Sequence, residues 1–512
     1  MSDDLPVVRA ARPVAVVGGL ADRRFVWFAA LILALTAFNL LFRIGSEFVS
    51  EWDESLYAIT ASEALRNGHW IGTTFLGSLD YYNSKPPLNI WLIAAAFKLF
   101  GTNLFALRIA SVLAAWATVA VLMVWSKRMF GSAVSLVAGF ILATSFGFVH
   151  VHSGRSANTD ALFTLLLLLA VVTLWSAERR PGLRIWLGPI VAGIFLLRGM
   201  AVLMPLCLIG AVLLVRRRTP GAPAAWRTNL SAVALFVLPV GLWIVARYQV
   251  DGWMFLKPLF WYDFVARTVS TIESHPGGPF YYLGILAKHQ YDWLVAALVA
   301  LLVLPLGRRV HLPSSMREAI AAFRSSPTAV VLSAWAAATL VIPAVMQTKV
   351  PWYLNPFYPL FAMAVAVAVV RAVEHTGTAA VRGRVLVGAL ALLALVAETK
   401  LIAYSFQYRD LRLSDQGVLM AERGRLAGRK VYRDSLSRGA TFVAAHVVGA
   451  TALDVPDSET FLRESQPDDY LLTMRAISDP DVELIRTGGG FNLYRRCEPR
   501  GRQTLVQARP RP

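Results

Sequence analysis

The sequence predicts an α-helical polytopic membrane protein of about eleven transmembrane helices with further helices on its outer face, followed by a small soluble α/β domain. Three observations predict it. Hydrophobic residues make up 56% of the 512 positions and gather in runs of roughly 18–22, long enough to cross about 30 Å of hydrocarbon. Lys and Arg punctuate these runs in short clusters that, on an eleven-span count, all fall on one side. Beyond about Tyr404 the runs stop and short alternating stretches with turn residues take over.

The net charge of +18 does not indicate a nucleic-acid partner, because the basic residues separate apolar spans instead of forming a basic face. Cys207 and Cys497 make neither a metal spacing nor a disulfide framework.

Residues 1–24 read as a cytoplasmic N-terminal segment, with Arg9, Arg12, Arg23 and Arg24 ahead of the first run. That run, Phe25 to about Phe42, exceeds the usual ~7–15 residues of a signal core and reads as a retained anchor. The membrane domain covers 25–403, with spans near 25–43, 105–125, 131–150, 160–177, 185–198, 200–215, 229–247, 291–307, 328–346, 357–373 and 384–401. A short break at Arg198-Gly199 separates the fifth and sixth; if they were one bent span, every later loop would change sides. In the long outer loop 44–104, Leu56, Ile59, Ala64 and Leu65 at helical spacing, with Gly68 as C-cap, predict an amphipathic helix on the membrane surface. Pro86-Pro87 starts a second helix, Leu88 to Phe100, too short to span. The loop 248–290 is rich in aromatics, as at the headgroup level. Residues 404–512 form the extracytoplasmic domain, with Lys430-Val431-Tyr432, Thr441-Phe442-Val443 and Tyr470-Leu471-Leu472 as strand-like runs and Gly488-Gly489-Gly490 as a turn.

Five polar segments land on the side opposite the basic clusters, which points to one composite site on the outer face. Asp53-Glu54 suits either a helix start or a general base beside the bilayer. Lys85 suits an interfacial lysine or a phosphate ligand. In the turn His152 to Asp160, Arg155 and Asp160 suit an ion pair, substrate binding, or both. Arg198, at the tip between two spans, suits snorkelling or an anionic headgroup. Around Glu273 and His275 a metal is conceivable without a strong spacing motif, and Arg267 nearby suits a phosphate. Lys349-Val350-Pro351-Trp352-Tyr353 reads as an aromatic belt or a rigid turn presenting Lys349 or Tyr353 to a lipid phosphate. Tyr82 is a further expected substrate contact.

Four motifs resemble the lipid-phosphate-dependent GT-C glycosyltransferases, in particular the bacterial aminoarabinose lipid A transferases, kin of the protein O-mannosyltransferases. They are Asp53-Glu54-Ser55-Leu56-Tyr57-Ala58, Lys85-Pro86-Pro87-Leu88 with Trp91, Arg155 with Asp160-Ala161-Leu162, and Lys349-Val350-Pro351-Trp352-Tyr353-Leu354. The resemblance covers about 25–400. It implies a polyprenyl-phosphate-linked sugar donor, Asp53 as base or acceptor-orienting group, and Lys85 on the donor phosphate with Arg267 and Tyr353 as further ligands. It implies no organic cofactor. In the family a Glu before Lys-Pro-Pro helps hold a divalent metal with a His resembling His275; here that position is Ser84, which removes one ligand. Leu56 stands where the family often has Arg, and both departures point to a sugar or acceptor other than aminoarabinose and lipid A.

The expected function is therefore transfer of a sugar, with inversion, from a polyprenyl-phosphate donor to an envelope glycolipid, glycan or protein, in a bacterial inner membrane. A flippase of lipid-linked sugars would instead need polar residues distributed through the spans. A non-catalytic envelope assembly protein would tolerate loss of the loop motifs.

Overall fold

The computed structural model describes residues 22–81, 85–216, 226–304, 316–378, 380–435 and 437–498. Helix α1, Asp22–Leu41, is followed by α2, Asp53–Asn67, and α3, Leu88–Phe100. Next come α4, Leu104–Phe130, α5, Ser132–Ala143, α6, Phe146–His150, α7, Asp160–Ala177, α8, Leu187–Arg198, α9, Leu203–Arg216, and α10, Trp226–Asp251. A π-helical stretch, Lys257–Ala266, leads through the short α11, Arg267–Val269, to α12, Tyr281–Val303. The membrane part closes with α13, Met316–Ser325, α14, Pro327–Val345, α15, Tyr358–Thr376, and α16, Val381–Gln407.

Among the described residues nine helical stretches are long and apolar enough to cross a membrane, with Pro181–Arg216 taken as one. That stretch is two opposed crossings. Arg198, ending α8, pairs with Asp160 at the start of α7, whereas Arg216, ending α9, pairs with Glu178 just past the end of α7 at 2.5 Å. The chain therefore reverses at Gly199, whose φ of 55° L side chains rarely adopt. The third predicted span breaks at Thr144-Ser145 into α5 and α6. Together with the nine, these two findings restore eleven passes. The basic ends share one face: Lys127 of α4 lies 3.8 Å from the Phe25 ring of α1, and Arg216 donates to the Arg324 carbonyl. Leu230, Val233, Val237 and Leu242 of α10 remain exposed, as a lipid-facing side requires.

Three expectations are corrected. Helix α2 is not left open as an exposed amphipathic helix; every residue from Glu54 to Ala64 is buried. Its small residues, Ser55, Ala58, Ala61 and Ser62, let neighbouring elements cover all its faces. Gly68 does cap it, in the left-handed region, with its N–H on the Ala64 carbonyl. The eighth span begins at Tyr281, ahead of the expected 291, with non-helical backbone at Gln290. Thr441-Phe442-Val443 is helical.

The outer loop carries a hairpin of β1, Thr74–Phe75, and β2, Ser78–Leu79. The C-terminal domain holds β3, Lys430–Arg433, β4, Thr451–Asp454, β5, Tyr470–Thr473, β6, Val482–Gly488, and β7, Phe491–Arg496. They form one sheet in the order β4-β3-β5-β7-β6. Strands β3, β4 and β5 are parallel, and β7 runs antiparallel to β5 and β6. Gly489 and Gly490, both at positive φ, make the β6–β7 turn.

The segment before α2 is locked to α4 by a buried ion pair. Arg108, fully buried, binds Glu54 through Nε at 2.8 Å and donates to the Ile44, Glu47 and Phe48 carbonyls. Replacing Arg108 with Met leaves the buried Glu54 carboxylate with only the longer Arg409 contact and two backbone N–H donors, a loss of up to about 3–5 kcal/mol. Thermal unfolding should show this loss, with substantial recovery in the Arg108→Met, Glu54→Leu double variant. Burial works to raise the Glu54 pKa, but Arg108 outweighs it and holds the carboxyl down to about 2. The stabilisation is thus complete above the ordinary value of 4.5 and is lost as pH falls from there toward 2.

Candidate active site

All five polar segments contribute to one cavity of about 950 Å³, within the range of small-molecule sites. The first supplies Glu51, Trp52 and Asp53, and the second Lys85. The turn before α7 supplies His152, the loop after the π-helix Arg267, Glu273 and His275, and the segment before α15 Trp352 and Tyr353.

Local pairing explains the convergence. The loop 267–275 is pinned to the segment before α15 by Gln347 N–H on the Thr268 carbonyl (3.1 Å), Thr348 N–H on Arg267 (3.1 Å) and Lys349 N–H on His275 (3.0 Å). Trp352 stacks on His152 at 3.7 Å between centroids and meets the His275 ring edge-on at 6.3 Å. Tyr353 lies beneath the Arg198 guanidinium at 5.4 Å.

Asp53 opens α2, with its backbone beginning the helix and Trp52 in the cap position. An acidic residue in a first turn is favourable there. Its side chain is 38% exposed, and the water it meets is that of the cavity. Lys85 Nζ stands 3.8 Å from Asp53 Oδ1, a loose ion pair. Burial works to raise the Asp53 pKa; the charges of Lys85, His152, Arg198 and Arg267 outweigh it and leave the carboxyl below its ordinary value. Burial also works against the Lys85 ammonium, but Asp53, Tyr57 and Asp263 outweigh it and raise the Lys85 pKa.

Arg198 is held by Asp160, and Arg267 by Glu273 at 3.1 Å and Asp263 at 3.8 Å. Tyr262 donates to the same Glu273 at 2.8 Å. Burial pushes the His152 pKa below its ordinary value; its Nδ1 lies 3.0 Å from the Asn158 amide nitrogen. The lining also has an apolar part, built from Met200, Leu203 and Met204 with Ile342, Pro343 and Val345.

Several expected site residues lie elsewhere. Glu54 is turned to Arg108 and also accepts from the Ser50 and Ala157 N–H groups, so it lies outside the cavity lining. Arg155 does not pair with Asp160; it binds Glu47 at 2.5 Å and the Asn39 and Phe42 carbonyls. Asp160 is buried and pairs with Arg198. The Lys349 ammonium turns back onto the Ala344 carbonyl at 2.7 Å and that of Met346, compensating carbonyls at the end of α14. Tyr82 and Ser84 lie outside the described residues. His275 lines the cavity, but no group of three His, Cys, Asp or Glu among the described residues could hold a metal.

Sequence reading passed over Glu51, Trp52, Tyr262 and Asp263, and named His152 only within its turn. The π-helix that aims Tyr262 and Asp263 had one legible sign, Pro258 in an aromatic stretch.

The fold has a solved counterpart among membrane transferases. The structure of ArnT from Cupriavidus metallidurans, solved apo and bound to undecaprenyl phosphate, matches with a TM-score of 0.65 at 16% identity, covering 93% of this chain and 98% of that one. Residues 84–243 match the dolichyl-phosphate-mannose-protein mannosyltransferase family. The undecaprenyl phosphate-alpha-4-amino-4-deoxy-L-arabinose arabinosyl transferase of Pseudomonas aeruginosa is 31% identical over 375 residues, 71% of this chain and 64% of that protein. That of Pseudomonas paraeruginosa is 31% identical over 393 residues, 73% of this chain. The match thus spans just under two thirds of these relatives' length. The chain is a multi-pass membrane protein similar in fold and in much of its sequence to the ArnT transferases, in line with the resemblance drawn from the four motifs.

Impermeant thiol labelling in a Cys207→Ser, Cys497→Ser background checks the shared face. Cysteines replacing Trp52 and Ser274 should react from one side, and a cysteine replacing Glu374 from the other. Opposite reactivity of 52 and 274 would contradict the single cavity.

Proposed function

We propose that the chain transfers a sugar from an undecaprenyl-phosphate-type donor to an envelope acceptor, a glycolipid, glycan or protein. The observation that carries this is the gathering of Asp53, Lys85, Arg198 and Arg267 around one cavity that is also lined by apolar side chains of α9 and α14. The reaction face is the extracytoplasmic side of the bacterial inner membrane, with the N-terminus cytoplasmic and the C-terminal domain outside. Basic clusters at the opposite helix ends support this orientation.

The donor's tail lies along the apolar wall between α9 and α14, with its phosphate among the cations. Arg198 and Arg267 are already committed to carboxylates, whereas the Lys85 pair is long. Lys85 is therefore the chief phosphate ligand, and the arginines stabilise the charge that grows as the sugar–phosphate bond breaks. Asp53 takes the proton of the acceptor hydroxyl, that oxygen bonds the anomeric carbon, and the bond to the phosphate oxygen breaks with inversion. Undecaprenyl phosphate leaves with the electron pair.

The cations that depress Asp53 are the ones a phosphate neutralises. Donor binding thus raises the Asp53 pKa and makes it a stronger base when loaded. The acid limb of kcat/KM, which reports the free enzyme, should therefore lie at lower pH than the acid limb of kcat. Coincident limbs would remove this coupling.

Asp53→Asn should lower turnover by about 100-fold or more with donor binding intact, and Lys85→Ala should chiefly weaken donor use. Wild-type turnover in Asp53→Asn would remove the base. Transfer is expected to persist in the presence of a chelator, since no step runs through a metal. Mass spectrometry of envelope lipids and glycans with and without the chain names sugar and acceptor together. An unchanged envelope would overturn the transferase reading.

A further inference from the structure

We propose that the C-terminal domain is a positioning element of the transfer reaction: it grips residues 48–52 and thereby sets where Asp53 stands. The proposal rests on the reading of Asp53 as the base.

The grip falls on the residues just before that carboxylate. Phe48 N–H donates to the Arg409 carbonyl at 3.1 Å, and Arg409 Nη1 donates to Ser50 Oγ at 2.7 Å. Gln416 makes a reciprocal pair with the Val49 backbone, accepting its N–H at 2.8 Å and donating to its carbonyl at 2.9 Å. The Glu51 carboxylate accepts from Ser437 Oγ at 2.8 Å and from the N–H groups of Arg438 at 2.9 Å and Gly439 at 3.1 Å. The Arg438 guanidinium lies over the Trp52 ring at 4.8 Å. The approach is close enough to require glycine: a Cβ on Gly439 would stand 2.9 Å from the Val49 carbonyl oxygen.

The gripped segment ends in strained backbone. Trp52 has φ 72° and ψ −117°, a conformation that a non-glycine residue keeps only where its surroundings over-determine it. Arg108 fixes the segment from the membrane side through the Phe48 carbonyl and Glu54, and the C-terminal domain fixes it from the other. Glu51 and Trp52 also line the cavity, so a change in the grip moves its wall together with the start of α2. A domain serving only as a stabilising cap has no need to concentrate polar contacts on five residues adjoining a functional carboxylate.

The test uses the full chain. Envelope product per unit of protein is measured by mass spectrometry, and undecaprenyl phosphate binding is measured on purified protein. Glu51→Ala should lower product by about 10- to 100-fold while leaving undecaprenyl phosphate affinity within about twofold, because a misplaced base slows the chemical step alone. Glu51→Gln, which keeps one acceptor oxygen, should fall between Glu51→Ala and wild type. Gly439→Val, which pries the contact from the other partner, should reproduce the pattern. Wild-type product in Glu51→Ala and Gly439→Val, with Asp53→Asn inactive, would overturn the proposal and leave the base intact. A parallel loss of product, lipid binding and folded protein in all three would overturn it as well, in favour of a plain structural role. Wild-type product in Asp53→Asn would instead sink the underlying reading.

Discussion

The rest of the structure depends on a buried knot of charge beneath the outer loop. Glu54 is paired with Arg108, Glu47 with Arg155, and Arg409 approaches both carboxylates at 3.6 and 3.7 Å. Five charged groups from four regions of the chain meet there. Removing Arg108 or Arg155 singly leaves a carboxylate out of water with only the longer Arg409 ion pair, which is more costly than the modest gain of forming such pairs. The knot is therefore a weak source of net stability and a strong source of registration. It fixes the 44–54 segment against α4, the turn before α7 and the end of α16, and Asp53 with it.

A second constraint is the isolation of charge from lipid. The chain places nearly every intramembrane cation on a partner: Arg198 on Asp160, Arg216 on Glu178, Lys400 on Asp292. Lys85 differs in degree, being held loosely at the cavity wall. A loosely compensated cation beside an apolar wall suits a ligand with an anionic head and a hydrocarbon tail, since such a molecule supplies the missing charge while its tail stays in the bilayer's solvent. The same geometry ties base strength to loading, because the ligand neutralises the charges that keep Asp53 acidic.

Periodicity and charge made the eleven passes, the short helix after Pro86-Pro87 and the convergence of five loops legible before any coordinates. What stayed hidden was side-chain direction. Glu54 and Asp53 are neighbours, yet helical geometry turns one into the knot and the other into the cavity. Arg155 and Lys349 carry motif positions but serve Glu47 and the end of α14, choices that depend on partners over a hundred residues away or on carbonyls at a helix end. That α2 is covered was not legible, because amphipathic spacing does not reveal whether another domain packs on the polar face. Residues 441–443 alternate like a strand but pack as a helix against the covered loop, where tertiary contacts outweigh β propensity.

The measurement that bears most directly on this account is a cryo-electron microscopy structure of the chain in a lipid nanodisc with undecaprenyl phosphate. The account predicts the phosphate against Lys85, flanked by Arg198 and Arg267, with the tail leaving between α9 and α14 and Asp53 open to the vacant sugar position. A phosphate seated outside this cavity, or on the face where Arg216 and Arg324 meet, would contradict it.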